Sequence, residues 1–173
     1  VDCSFQTAKF EYLNKKYSDP STADKRTKIL CEYFYEHELI DRLFSYLDNE
    51  IIANPSNGLN YLLFARYKEK LSQYDEALHI LTLFQERNPH QRFVVQDEMT
   101  QLYIKAGYVD SARENIESLA KYLKKKDSLG ESRIFYRFKP LANFYEAIGE
   151  NEQRDYWIQR FEEEKEKRRL AHK

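Results

Sequence analysis

The chain has 173 residues, enough for one sizeable domain or one stack of small units, and carries 14 Tyr, 11 Phe and 1 Trp against only 4 Gly and 4 Pro. So few breakers leave no room for the many tight turns of an all-β fold, which points to long helices. Lys and Arg (28) nearly balance Asp and Glu (29), so the net charge of −1 gives no general pull toward nucleic acid or an anionic membrane. No apolar run approaches the roughly 20 residues of a membrane span.

The chain opens VDCSF without an initiator Met, which reads as a processed product or an excised segment. Cys3 and Cys31 have the spacing of neither a metal site nor a disulfide framework. Both read as reduced thiols, Cys31 in the core, and point to a cytoplasmic setting. The first helical stretch, SFQTAKFEYLNKKY, sets Phe5, Ala8 and Tyr12 on one stripe and precedes Pro20. It reads as the second helix of a partial unit covering residues 4–20.

From residue 24 onward a pattern repeats. LCEYFYEHELIDRLFSYLDNEIIANP places Glu38, Leu43 and Leu47 at the same offsets as Ser72, Ala77 and Leu81 in the stretch that follows, with Phe34 four residues before its turn. YIKAGYVDSARENIESLAKYL repeats the offsets with Tyr103, Gly107, Ala112 and Ile116. LANFYEAIGENEQRDYWIQRF does so with Tyr145, Gly149, Arg154, Ile158 and Phe161. The anchors Leu43, Ala77, Ala112 and Arg154 are separated by 34, 35 and 42 residues, and Pro20, Pro55 and Pro89 by 35 and 34. A period near 34 marks an array of helical hairpins. The units are a degenerate one at 24–57, then 58–92, then 93–134 with a lengthened hairpin, then 135–173 with a charged capping helix.

Each position in the unit has a physical purpose. The first helix ends at Glu38, Ser72, Gly107 or Gly149, where a tight reversal favours a residue tolerating positive φ. Asp110 follows in the first turn of a second helix, where a carboxylate suits the helix dipole. Ala65, Thr100 and Ala142 on first helices, with Ala77 and Ala112 on second helices, let the paired backbones approach closely. Ala112, Ile116, Leu119 and Leu123 form the seam. Pro55 and Pro89 end second helices. The eight extra residues of the 42-residue spacing fall in KYLKKKDSLGES and predict a second helix running to about Lys126, with a loop over residues 127–130. Pro140 predicts a kink in the last first helix, or its start. The terminal EEEKEKRRLAHK reads as a polar cap with i,i+4 pairs Glu163–Lys167 and Glu164–Arg168.

This combination of small residues, turn glycines and terminal prolines resembles the tetratricopeptide-repeat (TPR) family over nearly the whole chain. The unit at 58–92 matches best through Ala65, Tyr74, Ala77 and Pro89; Arg154 departs from the pattern where a small residue is usual. The resemblance implies an all-α, right-handed superhelical stack of antiparallel helix hairpins with about nine helices in a single domain. It also implies a groove lined by the first helices that binds a peptide or a partner helix without a cofactor.

On that reading the partner face takes residues one past the small packing positions and a turn to either side. These are Lys25, Lys28, Glu32 and Tyr35 in the degenerate unit, then Leu62, Arg66 and Glu69. Asp97, Gln101 and Lys105 follow, and then Tyr136, Lys139 and Asn143. The mixed signs suit a polar peptide with a few apolar anchors. The lysine–asparagine carboxylate clamp of chaperone-binding members is matched only by Lys139 and Asn143, in the last unit instead of the first.

Catalytic patterns are sparse. HELID, His37 to Asp41, resembles a helical zinc motif with Asp in place of the second His, but His37 falls at the expected hairpin turn. His79, His90 and His172 stand far apart without a nucleophile arrangement, and no Gly-rich phosphate loop occurs. The expectation is a non-enzymatic interaction scaffold. A peptide- or ligand-sensing regulatory domain of a larger protein is the alternative; an RNA-binding pentatricopeptide array needs a basic groove that a pI near 6.5 disfavours.

Overall fold

The computed structural model describes residues 3–16, 19, 22–129 and 136–171. Pro20, Gly130, Phe135 and His172 lie outside them, as do the side chains of Cys3 and Phe5. Among the described residues the chain is all-helical, in two compact units, Val1–Pro89 and His90–Lys173.

The first unit holds α1 (Cys3–Lys16), α2 (Ala23–Glu36), α3 (Ile40–Ala53), α4 (Gly58–Lys70) and α5 (Tyr74–Arg87). After a 3-10 turn at Pro89–Val94, the second holds α6 (Gln96–Ala106), α7 (Val109–Ser128), α8 (Phe138–Ala147) and α9 (Asn151–Ala171). α2–α3 and α4–α5 pair as hairpins in the first unit, and α4 also lies against α2 and α3. In the second, α6–α7 and α8–α9 pair, and α8 lies against α6 and α7.

All four hairpins close through the same backbone device, at the positions the spacing predicts. Glu38 (φ 58°), Ser72 (φ 59°), Gly107 (φ 78°) and Gly149 (φ 80°) take left-handed backbone. The amides of Leu39, Gln73, Tyr108 and Glu150 then donate back to the carbonyls of Phe34, Lys68, Tyr103 and Tyr145 at 2.8–2.9 Å. The left-handed residue itself donates three positions back, as Glu38 does to Tyr35 and Gly107 to Ile104. This Schellman closure satisfies carbonyls that the helix end would otherwise leave bare. Across each turn the anchor amides of Leu43, Ala77, Ala112 and Arg154 donate to the carbonyls four residues before them, starting the second helix in register.

The packing follows. Leu43, Leu47, Ala77, Leu81, Phe84, Ala112, Ile116, Leu119 and Leu123 are fully buried, as are Ala65, Thr100 and Ala142 facing them. Pro55 and Pro89 each lie two residues past the end of a second helix. α7 runs 20 residues to Ser128, absorbing most of the excess spacing. α8 begins at Phe138 and carries Pro140 in its first turn, where the missing N–H has no helical acceptor to lose, so the helix starts there instead of kinking.

Three expectations need correction. On α1, Ala8 and Tyr12 are exposed; among the described side chains Leu13 is buried, with Phe10 stacking 6.0 Å from Phe34. The cause is the neighbour, since α2 and α3 offer an aromatic wall to that side. On α9, Ile158 is 44% exposed and Trp157 is fully buried in its place, against Phe138 at 5.2 Å. Arg154 cannot enter the seam, so it stays at the edge, paired with Asp155 and reaching Glu146 on α8, while Trp157 fills the space. In the terminal cap, Lys167 pairs with Glu164 at 2.7 Å, because Glu163 is already taken by Arg160.

Candidate partner-binding face

The first helices of each unit stand side by side, α2 with α4 and α6 with α8, so the residues singled out fall in two sets on two helix pairs, with Tyr136 just before α8. On the first set, Lys28 and Arg66 are exposed while Tyr35, Leu62 and Glu69 are half-buried. Asn57, the N-cap of α4, accepts from the Leu59 amide at 3.0 Å and donates across to Asp24 on α2 at 3.0 Å, tying the starts of the two helices. At the other end the rings of Tyr35 and Tyr67 lie 5.2 Å apart. Leu62 and Tyr35 are the half-buried apolar members of a set that otherwise carries the cations Lys28 and Arg66 and the carboxylate Glu69.

On the second set, Gln101, Lys105, Tyr136, Lys139 and Asn143 are exposed and Asp97 is half-buried. Asp97 is not a loose carboxylate: Arg137, at the entry to α8, holds it at 2.8 Å and also donates to the Phe93 carbonyl at 3.0 Å. That double contact pins α8 against the start of α6. Beside it lies a cleft of about 470 Å³, lined by His90, Phe93, Asp97, Tyr122, Tyr136 and Arg137, with Phe93 and Tyr122 stacked at 3.7 Å. One carboxylate oxygen of Asp97 is buried without a hydrogen-bond partner. Lys139 and Asn143 are one helical turn apart on α8.

The chain matches no family model, no curated protein and no solved structure.

Tyr67, Lys70, Phe93, Tyr122 and Arg137 fall outside the faces expected from the sequence. Tyr67 and Lys70 were legible as neighbours, since a spacing of three puts them on one helix face. Arg137 carries no local signal; its two partners are about 40 residues earlier in the chain.

His37 ends α2, with Nδ1 2.9 Å from the Tyr33 carbonyl oxygen and its ring 4.2 Å from that of Tyr33. Asp41 lies beyond the turn on α3. Among the described residues no group of three or more His, Cys, Asp or Glu is placed to hold a metal ion, and no helix is long and apolar enough to cross a membrane. Cys31 is fully buried, and burial with the nearby Glu50 charge pushes its thiol up to about 12, far from the thiolate a nucleophile needs.

Proposed function

We propose that the chain is a TPR-like array of helical hairpins that works without catalysis, binding a peptide or partner helix along the face of its first helices. The observation that carries this reading is the side-by-side packing of first helices in each unit, α2 on α4 and α6 on α8, behind exposed rows of mixed charge. Hairpins closed by Schellman turns are rigid, so a docking segment meets surface already in place and little ordering cost falls on the receptor. In the first unit half-buried Leu62 and Tyr35 supply apolar anchors and Lys28 and Arg66 the polar recognition; in the second, Gln101, Lys105 and Lys139 supply polar recognition of their own.

A displayed library of random dodecapeptides, selected on the full chain, tests this. Enriched sequences should bind as synthetic peptides, and Arg66→Glu should weaken roughly tenfold those held by the first unit, Lys139→Glu those held by the second, with helicity intact. Absence of enrichment, or binding indifferent to both reversals, overturns the reading.

A further inference from the structure

Tyr35 on α2 and Tyr67 on α4 form a cradle around a cation. Their rings are inclined at 45° with centroids 5.2 Å apart, and the Lys70 ammonium sits 4.6 Å from the first centroid and 4.8 Å from the second. An ammonium shared between two aromatic rings is the arrangement by which aromatic cages hold alkylated amines. The two rings come from different hairpins, so the cradle is assembled only when α2 packs on α4. Tyr67 is buried, whereas Tyr35 is half-exposed and Lys70 is exposed at the last residue of α4. Exposed Glu32 and Glu36 stand on the same helix as Tyr35, close enough that both charges act on the Tyr67 phenol. Two carboxylates thus act on a site whose walls are aromatic and whose occupant is the chain's own lysine.

We propose that this cradle receives a lysine side chain of a partner peptide, with Lys70 acting in the free chain as an internal competitor. The proposal rests on the first-helix face being a peptide-binding surface and names the chemistry it selects there. An acidic guest is repelled by Glu32 and Glu36, and a purely apolar one would have to bury the Lys70 charge or evict it without replacement. A guest ammonium replaces Lys70 like for like. Lys70 has a long stem and an exposed base, so it can leave for water at the cost of its own cation–π contact. While it stays, the apparent affinity for the guest falls by the fraction of molecules in which the cradle is open.

The test is an NMR titration of the full chain with N-acetyl-lysine N-methylamide and its norleucine counterpart, following the tyrosine ring resonances. The lysine compound should shift Tyr35 and Tyr67 saturably and the norleucine compound should not. Lys70→Met should tighten lysine binding roughly 3- to 30-fold, the span of a cation–π contact read as an equilibrium ratio. Tyr35→Leu should abolish it. An unchanged dissociation constant in Lys70→Met, equal binding of norleucine, or shifts mapping elsewhere overturns the proposal. Should Tyr35→Leu lose helicity, the surface variant Glu32→Gln/Glu36→Gln decides: binding must weaken at low salt, and unchanged binding overturns the proposal. Peptides enriched without basic residues and indifferent to Lys70→Met would sink the cradle and leave the peptide face standing. Lysine binding in a chain that enriches no peptides would sink the peptide face alone.

Discussion

Glu38 and Ser72, 34 residues apart, hold the same left-handed backbone, φ 58° and 59°, although neither is a glycine. In the second unit Gly107 and Gly149 hold it at φ 78° and 80° without the steric penalty. The hairpin geometry is common to all four turns, so in the first unit the fold overrides a local preference.

It follows that Glu38→Gly and Ser72→Gly should each stabilise the chain by about 0.5–1 kcal/mol, the left-handed penalty less the extra chain entropy of glycine. Gly107→Ala and Gly149→Ala should each cost about 1 kcal/mol. An added Cβ at either glycine meets nothing within 4 Å, so this cost is purely backbone. Urea denaturation of the four variants should give opposite signs for the two pairs; equal signs would contradict the turn assignment.

The seam positions Ala77 and Ala112 are fully buried between paired helices. Ala77→Leu or Ala112→Leu should lower stability by roughly 1–3 kcal/mol, because the larger side chain must push the hairpin open. Thermal melts unaltered by both would show that the helices do not meet there.

Asn115 on α7 joins α6 through a small polar knot. Its amide donates to Thr100 Oγ1 at 2.6 Å and to the Gln96 carbonyl at 3.1 Å, while Gln96 Nε2 donates to the Asn115 carbonyl at 2.8 Å. Gln96 and Thr100 are buried. Asn115→Ala should therefore cost about 1–3 kcal/mol, because the buried Thr100 hydroxyl loses its donor while still donating to the Gln96 carbonyl at 2.9 Å. The double variant Asn115→Ala/Thr100→Val should recover part of that loss; an additive loss in the double variant would argue against the knot.

Burial raises Cys31 from 9.0 to about 12, and Tyr67 and Tyr145 from 10.0 to about 12. Each group binds its proton more tightly folded than unfolded, so its contribution is complete below the unfolded value and fades as pH climbs toward 12. Stability should fall from about pH 9 upward, first through Cys31 and then through the tyrosines. In a Cys3→Ser background, Cys31 should react with a thiol reagent at pH 8 only as fast as the chain opens; rapid labelling of the native protein would contradict its burial.

Much of the local structure was legible in the residues. The turns at Glu38, Ser72, Gly107 and Gly149, the seams through Leu43, Ala77 and Ala112, the long α7 and the start of α8 near Pro140 all follow from spacing and backbone preference, which act within one or two helical turns. The faces of α1 and α9 depart from the periodic expectation for one reason. Leu13 and Trp157 are buried because of what stands opposite them, and Ala8, Tyr12 and Ile158 satisfy helical periodicity equally well.

Of the candidate face, the sequence alone placed Lys28, Arg66, Gln101, Lys105, Lys139 and Asn143 on helix surfaces, since charge and period settle exposure. Tertiary packing decided the rest. It put Arg137 on Asp97 and stood Tyr67 beside Tyr35, with the ammonium of Lys70 over both rings. Those contacts join separate helices, and their free energy depends on distances across a packed interface that no spacing along the chain encodes.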